Sequence, residues 1–194
     1  MIRPVNERRR FSLIIQLFHE GNTELDYLQK FIRYHHKEGV VKLNNRGCDC
    51  NPCCLVQKAI NNFKNVKLLK NEEVWVIFDD DGRNKEIKKA FGLLKEHPMI
   101  QVAFMKPCIE IWPLLHVGNE KCTTQHQAQE ALEKVMSKYK HNSYPYFELD
   151  KMVDYQKAVK TAQAWEISLD NTEIYHATKF AGIYKLTERI IAAK

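Results

Sequence analysis

Val74-Trp75-Val76-Ile77-Phe78-Asp79-Asp80-Asp81-Gly82 decides the fold. Five residues, all β-branched or aromatic, run without alternation into three acids and a glycine. A strand apolar on both faces must be covered on both, as in a parallel sheet held between helices. Residues 11–18 read the same way and Gly21 breaks them; residues 101–105 form a third strand. Helical patterns lie between. From Asn22 and Thr23, both good N-caps, Leu25, Leu28, Phe31 and Ile32 keep helical spacing to about Glu38, where Gly39 ends the helix. A short strand over 40–43 and an irregular, Cys-rich loop over 44–52 follow. Pro52 suits the first turn of a helix with the apolar stripe Leu55, Val56, Ala59, Ile60 and Phe63. A helix over 84–96 turns Ile87, Ala90, Phe91 and Leu94 inward, and His97-Pro98 stops it. The order predicts an α/β fold, a mostly parallel sheet flanked by helices with right-handed crossovers.

After His116 the pattern changes. Residues 125–139, 152–167 and 172–193 read as helices with no strong strand among them, and 142–147 reads as a linker. The expected organisation is an α/β core over 1–118 and a helical C-terminal region over 119–194 packed on it.

Composition narrows the function classes. The 194 residues are 44% hydrophobic and 28% charged, which excludes a disordered chain. No apolar run approaches the roughly 18–20 residues of a membrane span. The start, with Arg8-Arg9-Arg10, lacks the apolar segment of a signal peptide, so a cytoplasmic protein is expected. The net charge of +6 permits a nucleic-acid partner without demanding one.

The acids are informative through their placement. Glu20 follows the first buried strand and Glu24 lies in the first turn of the next helix. Asp79 and Asp81 end the second buried strand, two apart, and in extended conformation would point the same way. Parallel strands open their C-terminal ends on one edge, where open α/β folds bind ligands. Four carboxylates would meet there and repel unless protonated or bridged by a hard cation such as Mg²⁺ or Mn²⁺. Taken singly, each acidic run also reads as a solvated turn or helix cap.

The cysteines compete for attention. Cys48, Cys50, Cys53 and Cys54 cluster, while Cys108 and Cys122 read as small core residues. Cys50-x-x-Cys53 has zinc-ligand spacing that Cys48 and Cys54 could complete, giving a structural Zn²⁺ site. The same pair ahead of a helix has dithiol spacing. An unliganded loop of reduced thiols is the third reading.

An apolar strand into Glu20-Gly21-Asn22-Thr23-Glu24 with Tyr27, then a strand into Asp79-x-Asp81, resembles the Toprim catalytic core. With Pro107-Cys108-Ile109-Glu110-Ile111-Trp112-Pro113-Leu114-Leu115-His116 and Asn171-x-Glu173-Ile174-Tyr175, nearly the whole chain resembles the RloB-like family. The chain departs from that family's pattern at Met105-Lys106, Ile109 and Pro113. A proline inside the helix of the third motif would kink it. Without a kink Glu110 and His116, six residues apart, stand about 240° from each other.

The resemblance implies Mg²⁺-dependent phosphodiester chemistry. Glu20 would be general acid/base or metal ligand, Asp79 and Asp81 metal ligands, and Glu24 and Glu110 supporting ligands. Carried over with these, His116 is a candidate catalytic group or a buried, satisfied histidine. From its position after the third strand, Lys106 could neutralise a phosphate oxygen. The chain is too short for topoisomerase or primase machinery, which leaves hydrolysis of RNA, tRNA included, or DNA. By analogy the family implies a bacterial antiphage effector working with an ABC-type ATPase, and the chain has no Walker A motif of its own. A homodimer is a further expectation. The alternative is a non-catalytic binding or regulatory module stabilised by zinc.

Overall fold

A computed structural model describes residues 11–139, 147–169 and 173–194. Its strands are β1 (Leu13–His19), β2 (Val41–Asn45), β3 (Glu72–Asp79), β4 (Ile100–Lys106) and β5 (Phe180–Ala181). Its α-helices are α1 (Asn22–Tyr34), α2 (Pro52–Phe63), α3 (Asn84–Glu96), α4 (Ile111–His116), α5 (Gln125–Val135), α6 (Tyr155–Ile167) and α7 (Ile183–Ala192). They build an α/β fold around one sheet of order β2-β1-β3-β4-β5, parallel throughout except for β5.

The sheet owes its position to the uninterrupted apolar runs. All of β1 is buried, as is β3 apart from the partly exposed Glu73. Because side chains alternate along a strand, each strand feeds two cores. Phe18, Val74, Val76 and Phe78 pack under α2 and α3 against Leu55, Phe63, Ile87 and Phe91. Leu13, Ile15, Leu17, Trp75 and Ile77 face the other layer, where Tyr27, Trp112, Leu132 and Ile183 meet them. Residues on both sides of position 118 share this second core.

Strand ends shift by one or two residues from the sequence reading, and the helices differ more. α1 ends at Tyr34 rather than near Glu38, because His36 takes a left-handed conformation (φ 53°) that a helix cannot continue. α5 stops at Val135, and α6 starts at Tyr155, behind an Asp154 cap that accepts from the Lys157 N–H. The expected helix over 172–193 is three pieces: a 3-10 turn (Ile174–His176), β5 and α7. Phe180 and Ala181 pair with Lys106 and Met105, a ladder too short to carry strand periodicity. Arg8-Arg9-Arg10, Asn171 and all of the expected linker except Phe147 lie outside the described residues. Among the described residues no helix is long and apolar enough to cross a membrane.

Strand order fixes where a ligand can sit. From β1 the chain steps outward to β2, then returns past β1 to β3. The order therefore reverses between β1 and β3, and a crevice opens at their C-terminal ends.

Candidate active site

Glu20 leaves β1 at this reversal, and Asp79 ends β3 beside it. A cavity of about 410 Å³ opens there, lined by Glu20, Glu24, Asp79, Asp81, Arg83 and the loop residues Asp49, Cys50 and Asn51. Gly21 also lines it, and a Cβ there would stand 3.1 Å from Glu24 Oε2. The glycine lets the first helical turn bring Glu24 close to the backbone of the strand end.

Asp79 and Asp81 reach the cavity by a route other than strand alternation. The strand stops at Asp79, the Asp80 N–H donates to the Met105 carbonyl, and Asp81 takes a left-handed turn (φ 43°) before Gly82 (φ 71°). Aspartate and glycine tolerate that region best. Asp79 stays buried, its Oδ2 accepting from the Ile109 N–H at 3.0 Å. This bond ties β3 to the segment that presents Glu110. Glu110 is buried, immediately precedes α4 and accepts from the Tyr139 hydroxyl at 2.7 Å.

The electrostatics are those of acids held together against their repulsion. Burial pushes the Glu20 carboxyl up to about 7 although Arg83 pulls it down, and Asp81 and Glu24 add to the rise. Burial also pushes Glu24 up to about 7, reinforced by the charges of Glu110 and Asp81. Asp79 is raised well above the usual carboxylate range, first by burial and then by Glu24, Glu110 and Asp81. Arg83 Nη2 answers part of this charge, 2.9 Å from Glu20 Oε2 and 2.8 Å from Asp81 Oδ2.

Helix ends add the opposite polarity. Gly21, Asn51 and Arg83, all lining the cavity, are the N-caps of α1, α2 and α3. Three helices thus begin at one cavity, because each runs back from a parallel strand's end. Their N-termini carry partial positive charge and favour an anion.

The donor set fits a hard cation. Glu20 Oε1, Glu24 Oε2 and Asp79 Oδ1 are buried oxygens without a hydrogen-bond partner, an expensive state that a bound cation would relieve. As they stand, with Arg83 on Glu20 and Asp81 and the Ile109 N–H on Asp79, the acids do not form a finished shell. Among the described residues no group of three or more His, Cys, Asp or Glu side chains has the arrangement of a formed metal site.

The remaining sequence candidates lie elsewhere. Lys106 Nζ donates to the Tyr175 carbonyl at 3.0 Å and stands 3.4 Å from Asp80 Oδ1, outside the cavity lining. His116, the last residue of α4, is buried, its ring against Trp112 and its Nδ1 3.1 Å from the Met152 carbonyl oxygen. It lines a separate aromatic cavity with Phe31, Tyr34 and Tyr155. The expected kink does not occur: α4 starts only at Ile111, so Pro113 falls in the first turn, where its missing N–H costs no helical bond.

The cysteine cluster also differs from expectation. Cys48 and Cys50, with Cα atoms 5.5 Å apart at a bend, are joined as a disulfide, and Cys53 and Cys54 are free. Two of the four sulfurs proposed for zinc are thus bonded to each other rather than reduced. Cys108 and Cys122 are buried, as read.

Arg83 and Tyr139 belong to this site although neither stands in one of the acidic motifs. A cation two residues past Asp81, at a helix start, was the available signal for Arg83. Nothing near Tyr139 pointed to Glu110.

A family model described as RloB-like protein matches residues 15–190. No curated protein and no solved structure matches the chain.

Proposed function

The chain belongs to the RloB-like protein family, and we propose that it is a Mg²⁺- or Mn²⁺-dependent nuclease of Toprim type. The observation that carries the reading is the cavity itself: three carboxylates, each with one buried and unpartnered oxygen, stand beside Arg83 and three helix N-termini. Such a site has acceptors for a cation and donors for a phosphate within one volume, which is what phosphodiester hydrolysis requires.

Asp79 and Asp81 would hold the metal, with Glu24 and Glu110 behind them, and Glu20 would be a further ligand or the group that transfers the proton. A bound Mg²⁺ would supply charge neutralisation at the phosphate and favour attack by water. The chain's own groups do the rest. Glu20, with a carboxyl near 7, can exchange a proton at neutral pH as general acid or base. Arg83 and the N-termini of α1–α3 orient the phosphate. Glu24, held by the first turn of α1 with its carboxyl raised to about 7, would give up its proton as a cation enters. Lys106 and His116 act outside the cavity, as a strut to the Tyr175 carbonyl and as a core group respectively.

The resemblance to antiphage effectors supports a cytoplasmic setting with an ABC-type ATPase as partner, and a homodimer belongs to the same reading. The test is cleavage of tRNA, single-stranded DNA and duplex DNA with Mg²⁺ or Mn²⁺, with the ATPase of a neighbouring gene added. Wild type is expected to cut and Glu20→Ala and Asp79→Ala to be silent. Variants that cut as well as wild type would put the chemistry elsewhere.

A further inference from the structure

The charge of this protein is segregated between its layers. Residues 51–70, comprising α2 and the segment after it, carry Lys58, Lys64, Lys67 and Lys70 and no acid. α3 carries Lys85, Lys88, Lys89 and Lys95 against Glu86 and Glu96. Eight lysines against two glutamates leave a surplus of six on this one layer, equal to the net charge of the whole chain, so the remaining described residues other than these are net acidic.

The two helices lie side by side on one sheet face, sharing the core of Phe63, Phe78 and Phe91. Their inward positions are Leu55, Ala59, Ile87 and Leu94, which leaves Lys58, Lys85, Lys88 and Lys89 exposed on the outside. Lys95 pairs with Glu173, and among the described residues the other seven lysines make no ion pair. Seven like charges in one layer repel, and a polyanion removes that repulsion.

The layer also leads somewhere. α2 and α3 both start at the cavity, through Asn51 and Arg83. We propose that the outer surface of α2 and α3 is the track along which a nucleic-acid backbone reaches the acidic cavity. α2 is 12 residues long, about 18 Å at the helical rise. That length covers about five phosphates of one duplex strand. Lysines hold the backbone without reading bases, so binding is electrostatic and tolerant of sequence.

The inference rests on the nuclease reading only for the identity of the polyanion, and its test needs no turnover. Binding of fluorescently labelled single-stranded RNA and duplex DNA is followed by anisotropy on the Glu20→Gln chain, across salt from about 50 to 200 mM. The Lys58→Ala/Lys88→Ala/Lys89→Ala triple is compared with Lys134→Ala/Lys157→Ala/Lys160→Ala on α5 and α6. Each lost phosphate contact lowers the slope of log affinity against log salt by about 0.7–0.9. The first triple is expected to lower it by about 2 and to weaken binding at least tenfold, and the second to do neither. Equal effects of both triples, no effect of the first, or no binding at all overturns the inference. The last two leave the surface to an acidic protein partner. Lysine-dependent binding by a wild-type chain that never cleaves, with its ATPase present, overturns the nuclease reading and leaves this one standing.

Discussion

Arg83 Nη2 stands 2.9 Å from Glu20 Oε2, joining the start of α3 to the end of β1 across the sheet's reversal point. The same nitrogen reaches Asp81 Oδ2 at 2.8 Å. One guanidinium thus sits among the acids that would bind a cation, and it shares their charge with any metal or phosphate that enters.

Arg83→Gln removes a charge-assisted bond, worth about 1.5–3 kcal/mol where such a group meets its partner. If Arg83 orients the phosphate, KM rises roughly 10–100-fold. Arg83 also pulls the Glu20 carboxyl down, so its loss moves the acid limb of the pH–kcat profile above about 7. Steady-state kinetics across pH, with a KM increase and a displaced limb, checks both effects together.

Stability without metal should fall as pH rises through neutrality. Glu24 is raised from 4.5 to about 7, so the folded chain binds the extra proton between those values. The resulting stabilisation is complete below about 4.5 and is lost as pH rises through 7. Glu20 and Asp79 act with the same sign. Glu24→Gln therefore stabilises the metal-free protein at pH 8, by at most about 3 kcal/mol, and flattens this dependence. Urea unfolding at pH 5.5 and 8 measures it.

His116 has the opposite sign. Burial lowers its pKa from 6.5 to about 4, so the unfolded chain takes up a proton that the folded chain refuses. Its contribution is intact above about 6.5 and is lost as pH falls towards 4. By NMR the His116 imidazole should remain neutral at pH 5, and His116→Gln should remove its resonance while leaving metal affinity unchanged.

Gly182 lets β5 close the sheet. A Cβ there would stand 2.9 Å from the Phe104 carbonyl oxygen, to which the Gly182 N–H donates at 2.8 Å. Gly182→Ala must push β5 off β4, at a cost of about 1–3 kcal/mol, read as a lower urea midpoint with unchanged slope.

β1 and β3 were legible because a strand buried on both faces leaves no polar position to confuse its reading. The meeting of Glu20, Glu24 and Asp79 followed from that alone, since parallel strands end on one edge. β5 was not legible: two residues have no period, and Phe180 and Ala181 pair only because Gly182 permits a close approach. Asp81 arrived by a left-handed turn rather than an extended one. His116 could be placed only once the start of α4 at Ile111 was known, because that start decides which way each later side chain faces. The disulfide between Cys48 and Cys50 depends on the bend between them, which composition does not announce.

Metal binding can be measured at this cavity with neither the substrate nor a partner ATPase present. Mn²⁺ is titrated into the chain at pH 7 and followed by its paramagnetic resonance and by calorimetry in buffers of different ionisation enthalpy. Saturable binding that releases protons is expected, because Glu20, Glu24 and Asp79 must ionise to accept the cation. Asp79→Asn and Glu20→Gln should each lose that binding. Absence of saturable binding, or binding that survives both substitutions, would contradict a cation site at these acids.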